Sequence, residues 1–182
     1  MRTDQPVPRR RFPKVPFERR LAAFLIDFST VWLVSSFVGT GPLHWLIFFS
    51  LWLGLRVIVV AKNRGQSLGA WCTDMKILDL RARKIPELLV LTKREALLGA
   101  EALLVAIGLN QFFLNPFSTL LLATPLLVDC GIAYSDEQFN QALHDRLFGT
   151  AVLQTQRGIS LDLRARRWLD LVVENLRYRM RR

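Results

Sequence analysis

Four long apolar stretches alternate with polar segments along the chain, and they predict four transmembrane helices. The stretches cover residues 21–38, 43–61, 97–113 and 117–134. A helix rises about 1.5 Å per residue, so about 17 to 25 apolar residues cross the hydrocarbon core of a bilayer. Short uncharged turns separate the first stretch from the second and the third from the fourth. The pattern therefore predicts an all-α membrane protein with four transmembrane helices.

The polar segments divide the chain into three parts. Residues 1–16 are rich in proline and arginine and are predicted to be a disordered basic arm. Residues 17–155 form the predicted membrane domain. Residues 156–182 form a basic tail whose apolar and charged residues fall on opposite sides of an amphipathic helix. We expect this tail to lie on anionic lipid, and coiled-coil pairing with a partner is the alternative.

Shorter elements are predicted in the central basic loop, residues 62–96. Residues 75–80 are predicted to form a short strand that pairs with a second strand at residues 150–155. Residues 87–95 follow a proline and are predicted to form a helix that enters the membrane. The loop therefore carries a small cytosolic substructure of its own.

A further helix is predicted after the fourth apolar stretch. Ser135 with Gln138 three residues later is a capping-box pattern, and Gly149 is suited to end the helix. His144 and Asp145 lie on this helix and could suggest a general base and the carboxylate that orients it. Adjacent residues on a helix point to different sides, so a capping or loop-anchoring role is the expected one.

The distribution of Lys and Arg predicts the orientation in the membrane. Of 25 basic residues, seven lie in residues 1–20, eight in residues 62–96 and nine beyond residue 134, which leaves only Arg56. Under the positive-inside rule, both termini and the central loop are cytosolic, in the cell (inner) membrane. The net charge of +10 is then explained by contact with anionic lipid. No nucleic-acid-binding motif accompanies these residues, so no nucleic-acid partner is expected.

Ionisable residues inside the apolar stretches form the candidate site. Asp27, Arg56, Glu101 and Asp129 each lie about 6–9 Å below the predicted cytosolic end of their helices, with Arg20 above them. Three carboxylates facing one guanidinium favour a cation or proton site. The same residues are also suited to a polar network that locks the helices together, with Glu101 reaching the interface. We favour the locking network, and we expect Arg56 to contact Asp27 or Asp129.

Other chemistry is sparse in the sequence. No nucleotide-binding or zinc-binding motif is present, so no metal, no cofactor and no enzymatic activity are predicted. Gly65 and Gly69 bracket a short segment that could bind an anion at a helix start, although a plain turn is the expected structure. Cys72 and Cys130 are expected to be free thiols, since both lie on the cytosolic side or in the membrane.

Several of these residues together resemble the RDD family of small bacterial membrane proteins, over residues 17–155. The family is named for one Arg and two Asp, which match Arg20, Asp27 and Asp129. The other matching positions are Ala23, Ile26, Gly65, Gln66, Leu68, Gly69, His144, Asp145, Arg146, Leu147, Gly149 and Thr150. The chain departs from the family pattern at Ser67, where Thr is usual, and at Ala70, where Lys or Arg is common.

The resemblance implies two kinds of function. Some members are linked to sodium/proton antiport, and others resemble accessory components of membrane complexes. We expect a structural, accessory or adaptor component of a membrane complex, which would act with a membrane-protein partner or as a homo-oligomer. The alternative is a cation- or proton-coupled transporter, for example a sodium/proton antiporter, that uses Asp27 and Asp129.

Overall fold

The computed structural model describes residues 15–39, 41–136 and 140–155. Its elements in chain order are α1 (Phe17–Ser36), α2 (Pro42–Lys62), α3 (Leu68–Cys72), β1 (Met75–Asp79), α4 (Leu88–Asn110), α5 (Pro116–Ser135), α6 (Leu143–Leu147) and β2 (Thr150–Gln154). The predicted basic arm up to residue 14 and the predicted tail, residues 156–182, lie outside the described residues.

Two of the four long helices, α2 and α5, are long and apolar enough to cross a membrane. The other two, α1 and α4, have the length but carry more charge. Residues 18–20 and Asp27 are charged in α1, and residues 93–95 and Glu101 are charged in α4. In both helices most of these charges lie in the first half, and no charged residue follows Asp27 in α1 or Glu101 in α4. The mostly helical fold agrees with an all-α membrane protein, and the four-span arrangement stays a prediction.

The observed helix limits differ from the predicted ones at two places. The predicted helix at residues 87–95 and the third apolar stretch form one continuous helix, α4, which ends at Asn110. The end of the predicted disordered arm is ordered, because the Val15 side chain is fully buried and its carbonyl accepts a hydrogen bond from Asn140 Nδ2 at 2.7 Å. Burial of one apolar side chain therefore fixes the chain just before α1.

A π-helical turn, Gly54–Ile58, interrupts the α-helical hydrogen bonding of α2. Such turns insert an extra residue into an α-helix and are frequent at functional sites, since they change the direction of the side chains they carry. The turn contains Arg56, which is buried to 7% exposure. The wider turn therefore lies where the helix must present a guanidinium to its neighbours.

The two predicted strands pair as expected. β1 and β2 are antiparallel, with Met75 opposite Gln154 and Asp79 opposite Thr150. A two-stranded sheet is marginal by itself in water, so it needs a packed face. That face is provided by the helices, because Met75 and Ile77 join an apolar cluster with Val57 of α2.

The predicted capping-box helix is wrong over most of its length. Ser135 is the last residue of α5, and its hydroxyl donates to the Gly131 carbonyl instead of capping a new helix. Asn140 has a φ of 50°, in the left-handed region, and of the described residues between Asp136 and Gly149 only Leu143–Leu147 are helical. Gln138, the other half of the pattern, lies outside the described residues. A single turn of helix is formed because Asn140 must reach back to the chain before α1.

A second apolar cluster packs the long helices together. Its aromatic members are Phe28 on α1 and Phe48 and Trp52 on α2, and small residues of α4, Ala102 and Ala106, complete it. The small side chains allow α4 to approach the aromatic rings closely, as is common between membrane helices. This cluster fixes α1, α2 and α4 as one unit, and α5 packs mainly on α4.

Candidate functional site

The Asp27 carboxylate is surrounded by hydrogen-bond donors from two other segments of the chain. Its Oδ2 accepts hydrogen bonds from Arg56 Nη1 at 2.7 Å and from Ser67 Oγ at 2.6 Å. Its Oδ1 accepts from the backbone N–H of Gly69 at 2.7 Å. The side chain is fully buried. A buried carboxylate needs such partners, and here both oxygens have them.

The glycine at position 69 explains how α3 comes so close to Asp27. A Cβ atom built on Gly69 would overlap the backbone of Ala23, including its carbonyl oxygen. Only glycine therefore lets the start of α3 lie directly on α1. A plain turn was the expected structure for the segment after α2, with anion binding as the alternative. The segment begins α3, and its Gly69 N–H binds the protein's own Asp27 carboxylate. Ser67 also caps α3, since its hydroxyl accepts from the Ala70 N–H at 3.2 Å.

Arg56 continues the network from α2 to α4. Its Nε donates to Glu95 Oε2 at 2.7 Å, and the other oxygen of Glu95 pairs with Arg94 Nη1. The guanidinium also lies over the Trp52 ring, 5.2 Å from its centroid, which is within the range of a cation–π contact. The predicted contact between Arg56 and Asp27 is present, and Glu95 is a partner that the sequence analysis did not foresee.

Asp145 is the meeting point of two arginines. Its Oδ1 accepts from Arg94 Nε at 2.9 Å and Nη2 at 2.8 Å, while its Oδ2 pairs with Arg20 Nη2. Thr150 Oγ1 adds a hydrogen bond at 3.2 Å. Burial alone would raise the pKa of Asp145, but Arg94, Arg20 and His144 hold that pKa well below its usual range. Asp145 is therefore ionised at neutral pH.

Among the described residues, Asp129 is held by His144 alone. The His144 backbone N–H donates to Asp129 Oδ1 at 3.2 Å, and its Nδ1 lies 2.8 Å from Oδ2. His144 Nε2 lies 3.2 Å from Arg94 Nη2, and a guanidinium can only donate, so Nε2 is unprotonated and Nδ1 carries the hydrogen. Burial, followed by Arg94, lowers the pKa of His144 against the opposing effect of Asp145 and Asp129. His144 is therefore a neutral bridge between Arg94 and Asp129.

Glu101 stands apart from this network. It is buried to 7% exposure, so the expectation that it reaches the interface is wrong. Its Oε2 has no hydrogen-bond partner among the described residues. It lies near Asp129 and Cys130, close enough for its charge to interact with both. The structure therefore places Glu101 beside the network on the α4–α5 side without joining it.

The network as a whole connects six helices and a strand. It contains three arginines and four carboxylates with a neutral histidine, namely Arg20, Arg56, Arg94, Asp27, Glu95, Asp129, Asp145 and His144. Four of the five residues predicted for the charged layer belong to it. Arg94, Glu95, His144 and Asp145 complete it, and of these only His144 and Asp145 had been singled out, for another reason. The expectation that His144 and Asp145 face different sides is wrong, since both contact Arg94.

Three further residues of the family pattern, Gly65, Gln66 and Gly149, determine the course of the backbone next to the strands. Gln66 is buried and donates from Nε2 to the Met75 carbonyl at 2.6 Å, which ties the segment before α3 to β1. Gly65 has a φ of 85° and packs on Ile77, so the turn needs glycine. Gly149 has a φ of 64° and leads directly into β2. These positions hold the strands against the charged network.

A cavity of about 80 Å³ borders the network. Arg20, Arg56, Arg94, Asp129 and His144 contribute to its wall, whereas Asp27 does not. No group of three or more His, Cys, Asp and Glu side chains in the described ranges is arranged to hold a metal ion. The space beside Asp129 is therefore the accessible part of the site.

Comparison with protein families gave one match, to the model of the RDD family, over residues 14–149. This range contains α1 to α6 and so includes every charged residue of the network. Comparisons with curated proteins and with solved structures gave no match.

Proposed function

The chain belongs to the RDD family, and from this premise we propose that it is an accessory or adaptor component of a membrane complex, without enzymatic activity. Its membrane domain would serve as a rigid platform in the cell (inner) membrane. The cytosolic arm, the two-stranded sheet and the tail would offer a basic surface to partners and to anionic lipid. Function would then depend on a fixed arrangement of the helices and strands.

One observation carries this proposal, and it is the saturation of the ion-pair network. The carboxylates of Asp27, Glu95 and Asp145 are fully buried, and each has both oxygens occupied by donors. All of these donors come from other segments except Arg94, which precedes Glu95 on the same helix. A carboxylate that exchanges ions must release its partners during turnover, which would break several buried charge-assisted hydrogen bonds at once. Each such bond is worth about 1.5–3 kcal/mol. The arrangement therefore favours a network that fixes the helices over a site that exchanges ions.

We further propose that α1 and α4 cross the membrane with α2 and α5. Large apolar side chains on α1, including Leu33 at 65% and Val34 at 47% exposure, would be poorly placed in water. Four of the charged residues of α1 and α4 are engaged in the network, namely Arg20, Asp27, Arg94 and Glu95, which lowers the cost of placing them in a bilayer. Reporter fusions after residues 40, 80, 115 and 160 should read outside, inside, outside and inside. An outside signal at residue 80 or 160 would contradict this topology.

The alternative function, cation- or proton-coupled transport, is favoured by the surroundings of Asp129. This residue lines the cavity, and it is close enough to Glu101 for the two charges to interact. Glu101 Oε2 has no hydrogen-bond partner in the part of the chain that the structure describes. Two carboxylates near a cavity could bind a proton or a cation in turn. The transport alternative therefore concerns Asp129 and Glu101 more than Asp27.

Reconstitution separates the two functions. Purified full-length protein is placed in liposomes with an imposed proton gradient and sodium, lithium or potassium outside. The adaptor proposal predicts no ion flux above empty liposomes with any of the three cations. Flux that disappears in Asp129→Asn and Glu101→Gln variants of normal thermal stability would overturn it in favour of transport. For the adaptor role, a membrane partner should co-purify with the full chain and be lost when the chain ends at Gly158.

A further inference from the structure

The cavity beside the network has an unequal distribution of charge. Three guanidinium groups form part of its wall, from Arg20, Arg56 and Arg94, and Asp129 is the one carboxylate there among the described residues. The other carboxylates of the network lie behind the arginines and are fully buried. His144, which also lines the cavity, is neutral. The wall therefore carries more positive than negative charge.

One of these guanidinium groups has a donor to spare. Arg56 donates from Nε and Nη1, but its Nη2 makes no hydrogen bond with any residue in the described part of the chain. Arg56 lines the cavity, so this donor is available to a group that enters it. A guanidinium nitrogen can only donate, and an anion in the cavity would accept a charge-assisted hydrogen bond from it.

The remaining wall of the cavity is apolar and belongs to the membrane helices. Phe17, Leu21 and Phe24 contribute from α1, and Leu126 and Cys130 contribute from α5. These five side chains are half-buried or exposed, and Leu21 is 38% exposed, so the cavity opens between α1 and α5. The two helices touch through the edge-to-face rings of Phe17 and Tyr134, 5.6 Å apart. The opening therefore faces the side where lipid chains would lie.

We propose that this cavity binds the phosphate head group of an anionic lipid, from the leaflet on the strand side, with its acyl chain between α1 and α5. A volume of about 80 Å³ accepts roughly five water-sized groups, which matches a phosphate and its oxygens. Guanidinium groups bind phosphate oxygens with charge-assisted hydrogen bonds. The apolar opening between α1 and α5 favours a lipid over a free phosphate ion. This site goes beyond the adaptor role and does not depend on it.

Native mass spectrometry of the purified full-length protein tests the proposal with three probes. Phosphatidylglycerol offers an anionic phosphate with acyl chains, phosphatidylcholine offers a neutral head group with the same chains, and inorganic phosphate offers the anion alone. We expect one retained phosphatidylglycerol per chain and no equivalent retention of the other two. Equal retention of phosphatidylcholine would show that charge plays no part. Equal binding of inorganic phosphate would show a free-anion site, and either result overturns the proposal.

Matched variants locate the bound lipid without altering the ion-pair network. Leu21→Trp and Cys130→Trp place a large ring in the cavity wall, whereas Leu25→Trp and Val128→Trp alter exposed positions on the same helices that do not line it. The first pair should bind phosphatidylglycerol about tenfold more weakly, and the second pair should bind it like the wild type. If Cys130→Trp does not fold, Leu21→Trp at the opening still decides. Equal binding by all four variants would contradict a lipid site between α1 and α5.

Discussion

The two aspartates that match the family name occupy very different surroundings. Asp27 is fully buried and accepts from a guanidinium, a hydroxyl and a backbone N–H in two separate segments. Asp129 lines the cavity, and within the described ranges it accepts hydrogen bonds only from His144. Asp27 therefore joins α1 to α2 and α3, whereas Asp129 joins α5 to the short helix α6 and borders the cavity.

This difference shows why residues alike in sequence need not share a function. Both aspartates lie at a similar depth in an apolar stretch, and a layer of charge was predicted from that depth alone. Depth cannot tell which aspartate is enclosed, because enclosure depends on segments that come later in the chain, namely α3 for Asp27 and α6 for Asp129. The Asp129 side is consequently the place to look for exchange with lipid, water or ions.

The largest loss of stability is expected from Arg56→Leu, which removes the cation that binds Asp27. The change leaves Asp27 and Glu95 without their shared cation, and breaking a buried pair in this way costs about 3–5 kcal/mol. The membrane yield and the melting temperature in detergent should both fall sharply. Adding Asp27→Asn to Arg56→Leu should recover part of the loss. Arg81→Leu, at an exposed position, serves as the control. A melting temperature like the wild type would show that the pair is dispensable.

The next largest effect is expected from Gly69→Ala, which tests how tightly α3 closes over Asp27. The added methyl group would overlap the Ala23 backbone and push the Gly69 N–H away from the carboxylate. Overpacking of this kind typically costs about 1–3 kcal/mol, and the lost hydrogen bond adds to it. Gly131→Ala is the matched control, since an added Cβ there meets no atom within 4 Å. Equal melting temperatures for the two variants would mean that α3 does not pack on α1.

The elements that follow from local pattern were predictable from the sequence. The apolar stretches located the long helices, and the pairing of residues 75–80 with 150–155 agrees with the observed sheet. Shared depth also led to the contact between Arg56 and Asp27. In each case the signal lies in the order of polar and apolar residues, which the folded chain has little freedom to change.

The parts that escaped prediction depend on distant segments. Arg94 and Glu95 were placed in a predicted helix, residues 87–95, that enters the membrane, and no partner was predicted for either of them. However, Glu95 shares a helix face with the buried Leu91, Leu98 and Ala102, and this periodicity was a usable signal for its burial. No local signal shows that Arg94 is long enough to reach both His144 and Asp145. The left-handed Asn140, which stops the predicted helix, likewise depends on contact with the chain before α1.

A smaller and more selective effect is expected when the two aspartates are changed to asparagine. In Asp27→Asn, one carboxylate oxygen becomes an amide that faces a donor, so at least one charge-assisted bond of about 1.5–3 kcal/mol is lost. In Asp129→Asn, the cavity gives water access to the unsatisfied groups, and the loss should stay near 1 kcal/mol. The melting temperature should therefore fall more in the first variant. The reverse order would show that Asp129 is the structural residue.

The smallest effect on stability is expected from the protonation of His144, the residue that binds Asp129. Folding lowers the pKa of His144, chiefly through burial, so the unfolded chain takes up a proton near pH 6.5 that the folded chain refuses. The stability that this histidine contributes is therefore present above about pH 7.5 and declines as the pH falls toward its folded pKa, by at most about 1.4 kcal/mol per pH unit. Asp145 does not interfere, because its pKa lies well below its usual range.

Melting temperatures of the wild type and of His144→Asn between pH 7.5 and 5.5 test this expectation. The asparagine amide can occupy the place of Nδ1–H and donate to Asp129, but it does not titrate. The wild type should therefore lose stability as the pH falls, while the variant starts lower and has a flatter profile. The second histidine, His44, is common to both proteins, and any effect of it cancels in the difference. Parallel profiles would mean that His144 keeps the same charge state on unfolding, and the neutral bridge from Arg94 to Asp129 would then be wrong.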